Sequence, residues 1–154
     1  MKRIILNVVF ILMALPMFGQ YVQIEGYDLP NKSIEFLRKY YGNYNKYGMP
    51  RYFVECEESN SPVYEIEEFE VIFENGTKIE FDMNGELKSI DCGENDVISL
   101  DIIPSVIKKK LKRYFKKFEI IEYSIERGCL FIEYEIELKN GREFVFNRLG
   151  KIKN

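Results

Sequence analysis

The chain carries one pattern twice. Residues 69–88, FEVIFENGTKIEFDMNGELK, align without a gap on residues 134–153, YEIELKNGREFVFNRLGKIK. Phe69/Tyr134, Val71/Ile136, Phe73/Leu138, Asn75/Asn140, Gly76/Gly141, Phe81/Phe146 and Gly85/Gly150 fall in register. Upstream, two Pro-led amphipathic stretches also match, through Pro30/Pro104, Leu37/Leu111, Tyr40/Tyr114 and Tyr41/Phe115. Self-similarity at this period predicts two copies of one supersecondary unit that bury their apolar faces together. The expected class is α+β: a tandem duplication of a helix followed by a four-stranded antiparallel meander, with the helices on one face of the sheet.

Within each unit the periodicities change in a definite order. Proline is tolerated in a first helical turn, and Ile34, Leu37 and Tyr41 then recur at helical spacing. This predicts a helix from Asn31 to about Tyr41, and its counterpart from Ser105 to about Phe118. Strands are expected near 52–57, 64–74, 77–82 and 86–91, and again near 119–125, 130–139, 142–147 and 151–153. Asn75-Gly76 and Asn140-Gly141 signal hairpins, read here as type I′ turns. Tyr64 and Ile66 are out of phase with Phe69, Val71 and Phe73, so a β-bulge at Glu67-Glu68 or a short loop is expected. The helices are 74 residues apart and the hairpins 65, so the first unit carries about nine extra residues. These fall in Gly42–Pro50, a Gly/Asn/Pro-containing loop.

Residues 1–20 read as a secretory signal. Lys2 and Arg3 precede an apolar run from Ile4 to Leu15, and Pro16 to Gln20 supply a helix break and a small residue for cleavage near 19–21. The run is too short for the ~20 residues of a spanning helix. The expected organisation is therefore a signal at 1–20, a short segment at 21–28, and repeats at 29–92 and 102–154 within one compact domain. Losing Lys2 and Arg3 moves the formal charge from −3 to −5. A mildly acidic chain is a poor general ligand for nucleic acid. Export to the periplasm or beyond would permit a disulfide among Cys56, Cys92 and Cys129. No Cys-x-x-Cys spacing occurs, and pairing is an even choice with Cys92 the favoured participant.

The inventory of chemistry is thin. The chain has no histidine, which excludes Ser-His-Asp and Cys-His catalysis and His-ligated metals. No Gly-rich phosphate loop is present, and the glutamates alternate along strands as on a solvated sheet face. Asp82-Met-Asn84-Gly85 resembles the start of a calcium loop but lacks the remaining ligands and reads as a turn. The expectation is no enzyme, no cofactor and no metal.

Charge and aromatic residues carry what functional signal there is. Residues 55–74 hold eight glutamates and no basic residue, whereas the second helix carries Lys108, Lys109, Lys110, Lys112, Arg113, Lys116 and Lys117 with no acid. Such runs usually mark solvated faces. The acidic strands could dock a basic partner, or the helix an anionic membrane surface, the latter the less favoured reading. Tyrosines crowd the first third, and Ile72, Phe131 and Val145 interrupt the polar alternation of the sheet. Tyr44, Tyr47, Ile72, Phe131 and Val145 are accordingly the candidate partner-binding residues.

The Leu29-Pro30 and Ile103-Pro104 helix starts, the hairpins 69–81 and 134–146, and the turns at 82–86 and 147–151 together resemble the PepSY-like, beta-lactamase-inhibitor-like family of exported Bacteroidetes proteins. The resemblance covers about residues 29–154. It implies two helices packed against a continuous or paired antiparallel sheet, a periplasmic role and no cofactor. Members of the related beta-lactamase inhibitor fold bind enzymes through a concave sheet surface and its loops. The two-unit sheet, the thin catalytic inventory and the acidic–aromatic surface lead to the expectation of a secreted, non-enzymatic protein-binding or inhibitor-like module with an unknown periplasmic protein partner. The alternative is an envelope-associated structural or stress protein that contacts anionic membrane through the basic second helix. No inhibitory loop can be matched. The long Gly42–Pro50 segment and the three cysteines depart from the pattern.

Overall fold

Alternating apolar residues decide how this sheet is built. The computed structural model describes residues 20–57, 65–93 and 96–153. The strands are β1 (Gln20–Ile24), β2 (Pro50–Glu57), β3 (Glu65–Phe73), β4 (Lys78–Asp82), β5 (Leu87–Asp91), β6 (Ile120–Arg127), β7 (Ile132–Leu138), β8 (Arg142–Asn147) and β9 (Ile152–Lys153). They form one antiparallel sheet in sequence order, from β1 to β9. One row of directly opposed residues crosses eight of them: Ile24, Tyr52, Val71, Ile79, Ile90, Tyr123, Ile136 and Phe144. Period-two geometry commits the whole row to one face. Val71, Ile79, Ile90 and Ile136 there are fully buried.

Two helices cover that face. α1 (Asn31–Tyr41) lays Phe36 edge-on against Phe81, ring centroids 5.6 Å apart, and Tyr41 on Phe73 at 5.6 Å. A single turn, α2 (Tyr44–Tyr47), lies in the segment expected to be loop. α3 (Ser105–Tyr114) buries Ile107 and Leu111 completely, and Phe115 meets Phe144 at 5.7 Å. The molecule is thus mixed α+β, one nine-stranded antiparallel sheet with few helices. Among the described residues no helix is long and apolar enough to cross a membrane.

Several expectations are corrected. α3 ends at Tyr114, not near Phe118, because Phe115 is extended (φ −128°, ψ 130°) and its N–H closes the last turn on the Leu111 carbonyl. Within the short segment 21–28, Tyr21–Ile24 belong to β1, zipped onto β2. The Asn-Gly turns are not type I′. Only glycine takes positive φ, at Gly76 (+90°) and Gly141 (+75°). Gly76 N–H bonds the Phe73 carbonyl (3.0 Å) and Gly141 N–H the Leu138 carbonyl (2.8 Å), the arrangement of a type I turn closed by a glycine bulge. Asn75 instead serves through its side chain, whose Oδ1 accepts from Thr77 N–H at 3.0 Å.

The bulge in β3 lies where the phase break placed it. Glu68 opposes Glu55 and Ile66 opposes Cys56, leaving Glu67 as the extra residue. The start of that strand expected at Tyr64 lies outside the described residues, as does the signal segment through residue 19. Cys56 and Cys92 are buried free thiols and Cys129 an exposed one. Burial first, and then Asp96, push the Cys92 thiol up to about 11, as befits an inert core cysteine.

Candidate protein-docking face

Residues between those of the apolar row face away from the helices, and they are mostly charged. Across β3, β4 and the start of β5 two lysines meet three carboxylates and neutralise most of this outer face from within. Lys78 bridges Glu70 (2.6 Å) and Glu80 (2.8 Å), Lys88 pairs with Glu68, and Ser89 Oγ donates to Glu80 at 2.6 Å. Burial opposes ionisation of Glu80, yet the Lys78 and Ser89 bonds outweigh it and lower its pKa. Burial likewise opposes the charge on Lys78, and the two carboxylates more than restore it. Glu68 and Glu70 are buried beneath this network.

From Asp91 on β5 across to β8 the outer face keeps one pair of this kind, Lys153–Glu133, and has no central lysine bridging two acids among the described residues. Asp91, Glu122, Glu137 and Glu143 stand directly opposite one another across four adjacent strands, and Glu135 lies two positions from Glu137. Among the described residues none of these five forms an ion pair. Partial burial raises the Glu122 pKa, and Asp91, Glu137, Glu135 and Glu143 raise it further. In the gapless alignment Glu143 occupies the position of Lys78, and Val145 that of Glu80. With an acid at 143, the row has no cation placed as Lys78 is between Glu70 and Glu80. Like charges in register destabilise a sheet, and breaches of local rules of this kind concentrate at functional sites.

The geometry of the five sequence candidates differs from one to the next. Ile72 and Val145 do lie on the outer face, half-buried, Ile72 opposite Arg51 and Lys78 and Val145 opposite Glu135 and Lys153. Five strand spacings separate β3 from β8, about 24 Å, so they are not one apolar spot. Phe131 is 44% exposed in the β6–β7 connection, beside Leu130 at 99%. Tyr47 instead turns inward, its ring 4.9 Å from Tyr41 and 5.8 Å from Phe73. Tyr44 lies in α2, and its side chain is outside the described set. The acidic row itself was missed as a site. Alternation in each strand gave the facing, but the register that aligns four carboxylates is set by turns and bulges.

Among the described residues no three acids of the row converge closely enough to hold an ion. The calcium-like loop is used otherwise. Asp82 Oδ1 accepts from Asn84 N–H (2.9 Å) and Glu86 N–H (2.8 Å), and Asn147 Oδ1 does the same from Leu149 and Lys151 N–H, both at 3.0 Å. An uncharged amide filling the same role makes the feature a turn.

Residues 67–154 match the model of the family described as "Putative beta-lactamase-inhibitor-like, PepSY-like". The chain belongs to the PepSY-like family. Its fold is that of solved structures from Bacteroides. One, described as a "putative periplasmic protein" of the DUF2874 family from Bacteroides vulgatus, superposes with TM-score 0.73 at 20% identity, over 88% of this chain and 95% of that one. A second, described as a "putative calcium-regulated periplasmic protein" from Bacteroides thetaiotaomicron, gives 0.67 at 24% identity over 87% and 94%. A third, a protein of unknown function from Bacteroides vulgatus, gives 0.64 at 24% identity over 88% and 100%. No functionally curated protein matches the chain.

Proposed function

We propose that this PepSY-like chain is a secreted periplasmic, non-enzymatic module that binds a protein partner of basic surface through the outer face of β5–β8. The open row Asp91, Glu122, Glu137 and Glu143 carries the reading. A rigid sheet that leaves like charges in register is best neutralised from outside, and complementary charge speeds and orients encounter. Val145 and Glu135 extend the surface, so an apolar contact flanks the acidic one.

The scaffold is read as two copies of a helix and four-stranded meander. Supporting equivalences recur at the 65-residue offset. Lys88–Glu68 corresponds to Lys153–Glu133, and the Asp82 cap to the Asn147 cap. Gly85 approaches α1 at Pro30 and Ser33, as Gly150 approaches α3 at Val106. Export by a cleaved signal fits the start of β1 at Gln20, since cutting after Gly19 would leave that strand whole. The periplasmic descriptions of the Bacteroides relatives point the same way.

Capture from periplasmic extract on the immobilised mature chain, at low and physiological ionic strength, tests the reading. A basic protein retained by the parent chain, and lost with the Glu135→Lys/Glu143→Lys pair, is the expected result. Equal retention by that variant would remove the acidic row from any docking role.

A further inference from the structure

The end of α3 builds a feature that the docking face does not use. Because the helix stops at Tyr114, Phe115 and Phe118 drop beside the β7–β8 hairpin with their rings 6.5 Å apart. With Leu100 and Leu138 they line an open cleft of about 880 Å³, within the usual size of small-molecule sites. Lys112, Lys116, Lys117 and Lys139 also line it. Its one acid is Glu119, 3.8 Å from Lys139. Among the described residues Lys112, Lys116 and Lys117 form no ion pair. Arg142 adds a further cation close by, its guanidinium 5.5 Å from the Phe115 ring centroid.

Much of the regular backbone around the cleft is already paired. Lys139 N–H bonds the Glu119 carbonyl (2.9 Å), Gly141 N–H the Leu138 carbonyl (2.8 Å), and Phe115 N–H the Leu111 carbonyl (2.9 Å). An extended peptide, which depends on main-chain pairing, finds little to bond there. Recognition falls to side chains, and these offer an aromatic–aliphatic lining together with uncompensated ammonium groups.

We propose that this cleft binds a single-chain amphiphile with an anionic head. The tail lies on Phe115, Phe118 and Leu138, and the carboxylate or phosphate head sits among Lys112, Lys116 and Lys117. Each buried methylene favours binding, and the head relieves the mutual repulsion of the lysines. The two halves of the ligand are both required.

Titration calorimetry of the full mature chain with laurate, dodecyl phosphate, dodecanol, acetate and inorganic phosphate tests this. Laurate or dodecyl phosphate should bind saturably, with dodecanol at least about tenfold weaker and the tail-less anions silent. Their ratio identifies the head group. Lys112→Glu/Lys116→Glu and Phe118→Ala should each weaken laurate about tenfold or more, while Lys109→Glu, outside the cleft, should not. Lys112→Glu faces Lys108 one turn back on α3 and Lys116 is exposed beyond the helix end, so the charge-reversal variant should melt close to the parent and its loss would not reflect unfolding. Glu135→Lys/Glu143→Lys should leave laurate binding intact, which separates this site from the docking face. Absence of saturable binding, unchanged affinity in both cleft variants, or adsorption to anionic vesicles indifferent to Phe118→Ala would overturn the proposal.

Discussion

Glu122 on β6 and Glu137 on β7 are directly opposed partners, and neither forms an ion pair among the described residues. Desolvation, followed by the surrounding acids, raises the Glu122 pKa above that of the unfolded chain. The folded state therefore holds this proton more tightly, and stability falls as pH rises through the upper carboxylate range. Glu122→Gln should raise stability near neutral pH by about 0.5 kcal/mol. The gain should vanish below the carboxylate range, where both states are protonated, and shrink with added salt. Glu80 has the opposite sign: its lowered pKa contributes stability that is lost on acidification. Melting curves across pH for both Gln variants check the contrast; parallel profiles would contradict it.

Thiol reactivity should divide the cysteines. Cys129 is exposed and Cys56 and Cys92 are buried, with the Cys92 thiol pushed up to about 11. The thiolate is the reactive species, so burial and a high pKa both protect Cys92. In the native protein one thiol should react promptly with an aromatic disulfide reagent, and all three in denaturant. A single reactive thiol under both conditions would mean that Cys56 and Cys92 are bridged.

The elements that sequence alone located are those with dense local signals. Apolar alternation, Pro-led helix starts and glycine turns placed β2 to β9 and α1 within a few residues, and even the Glu67 bulge showed as a break in phase. What escaped depended on distant partners. β1 is short, with Tyr21 and Val22 about half exposed, and is a strand only because β2 lies beside it. Phe115 and Phe118 continue a helical stripe in sequence, yet α3 gives way to tertiary packing on Phe144. Tyr47 looked like a binding residue because tyrosine favours both interfaces and cores, and only contact with Tyr41 and Phe73 decides between them. The acidic row needed four registers at once.

At Asp82 a turn role and a metal role predict different chemistry. The Oδ1 atom accepts two backbone N–H groups, and a neutral Asn147 performs the same task one hairpin pair later. Asp82→Asn should therefore change stability by less than about 0.5 kcal/mol, whereas Asp82→Ala should cost about 1–2 kcal/mol for two lost bonds. Urea unfolding of the two variants checks this, and a large loss in Asp82→Asn would require the charge itself.

Gly85 and Gly150 separate backbone strain from steric contact. Both take positive φ, +77° and +73°, where a side chain costs about 1–2 kcal/mol. A Cβ on Gly85 would come within 2.7 Å of Pro30 Cβ and 2.8 Å of Ser33 Oγ, at the first turn of α1. On Gly150 its nearest neighbours would be Val106 atoms, the first at 3.3 Å, a contact relieved by a few tenths of an ångström. Gly150→Ala should thus cost about 1–2 kcal/mol, close to the backbone term alone. Gly85→Ala should cost about 2–4 kcal/mol, since α1 must also lift from the sheet or Pro30 must shift. Chemical denaturation of both variants measures the difference. Because the backbone penalty is shared, the excess at Gly85 reports how tightly α1 is seated on its turn, and equal losses would mean that α1 yields as readily as α3.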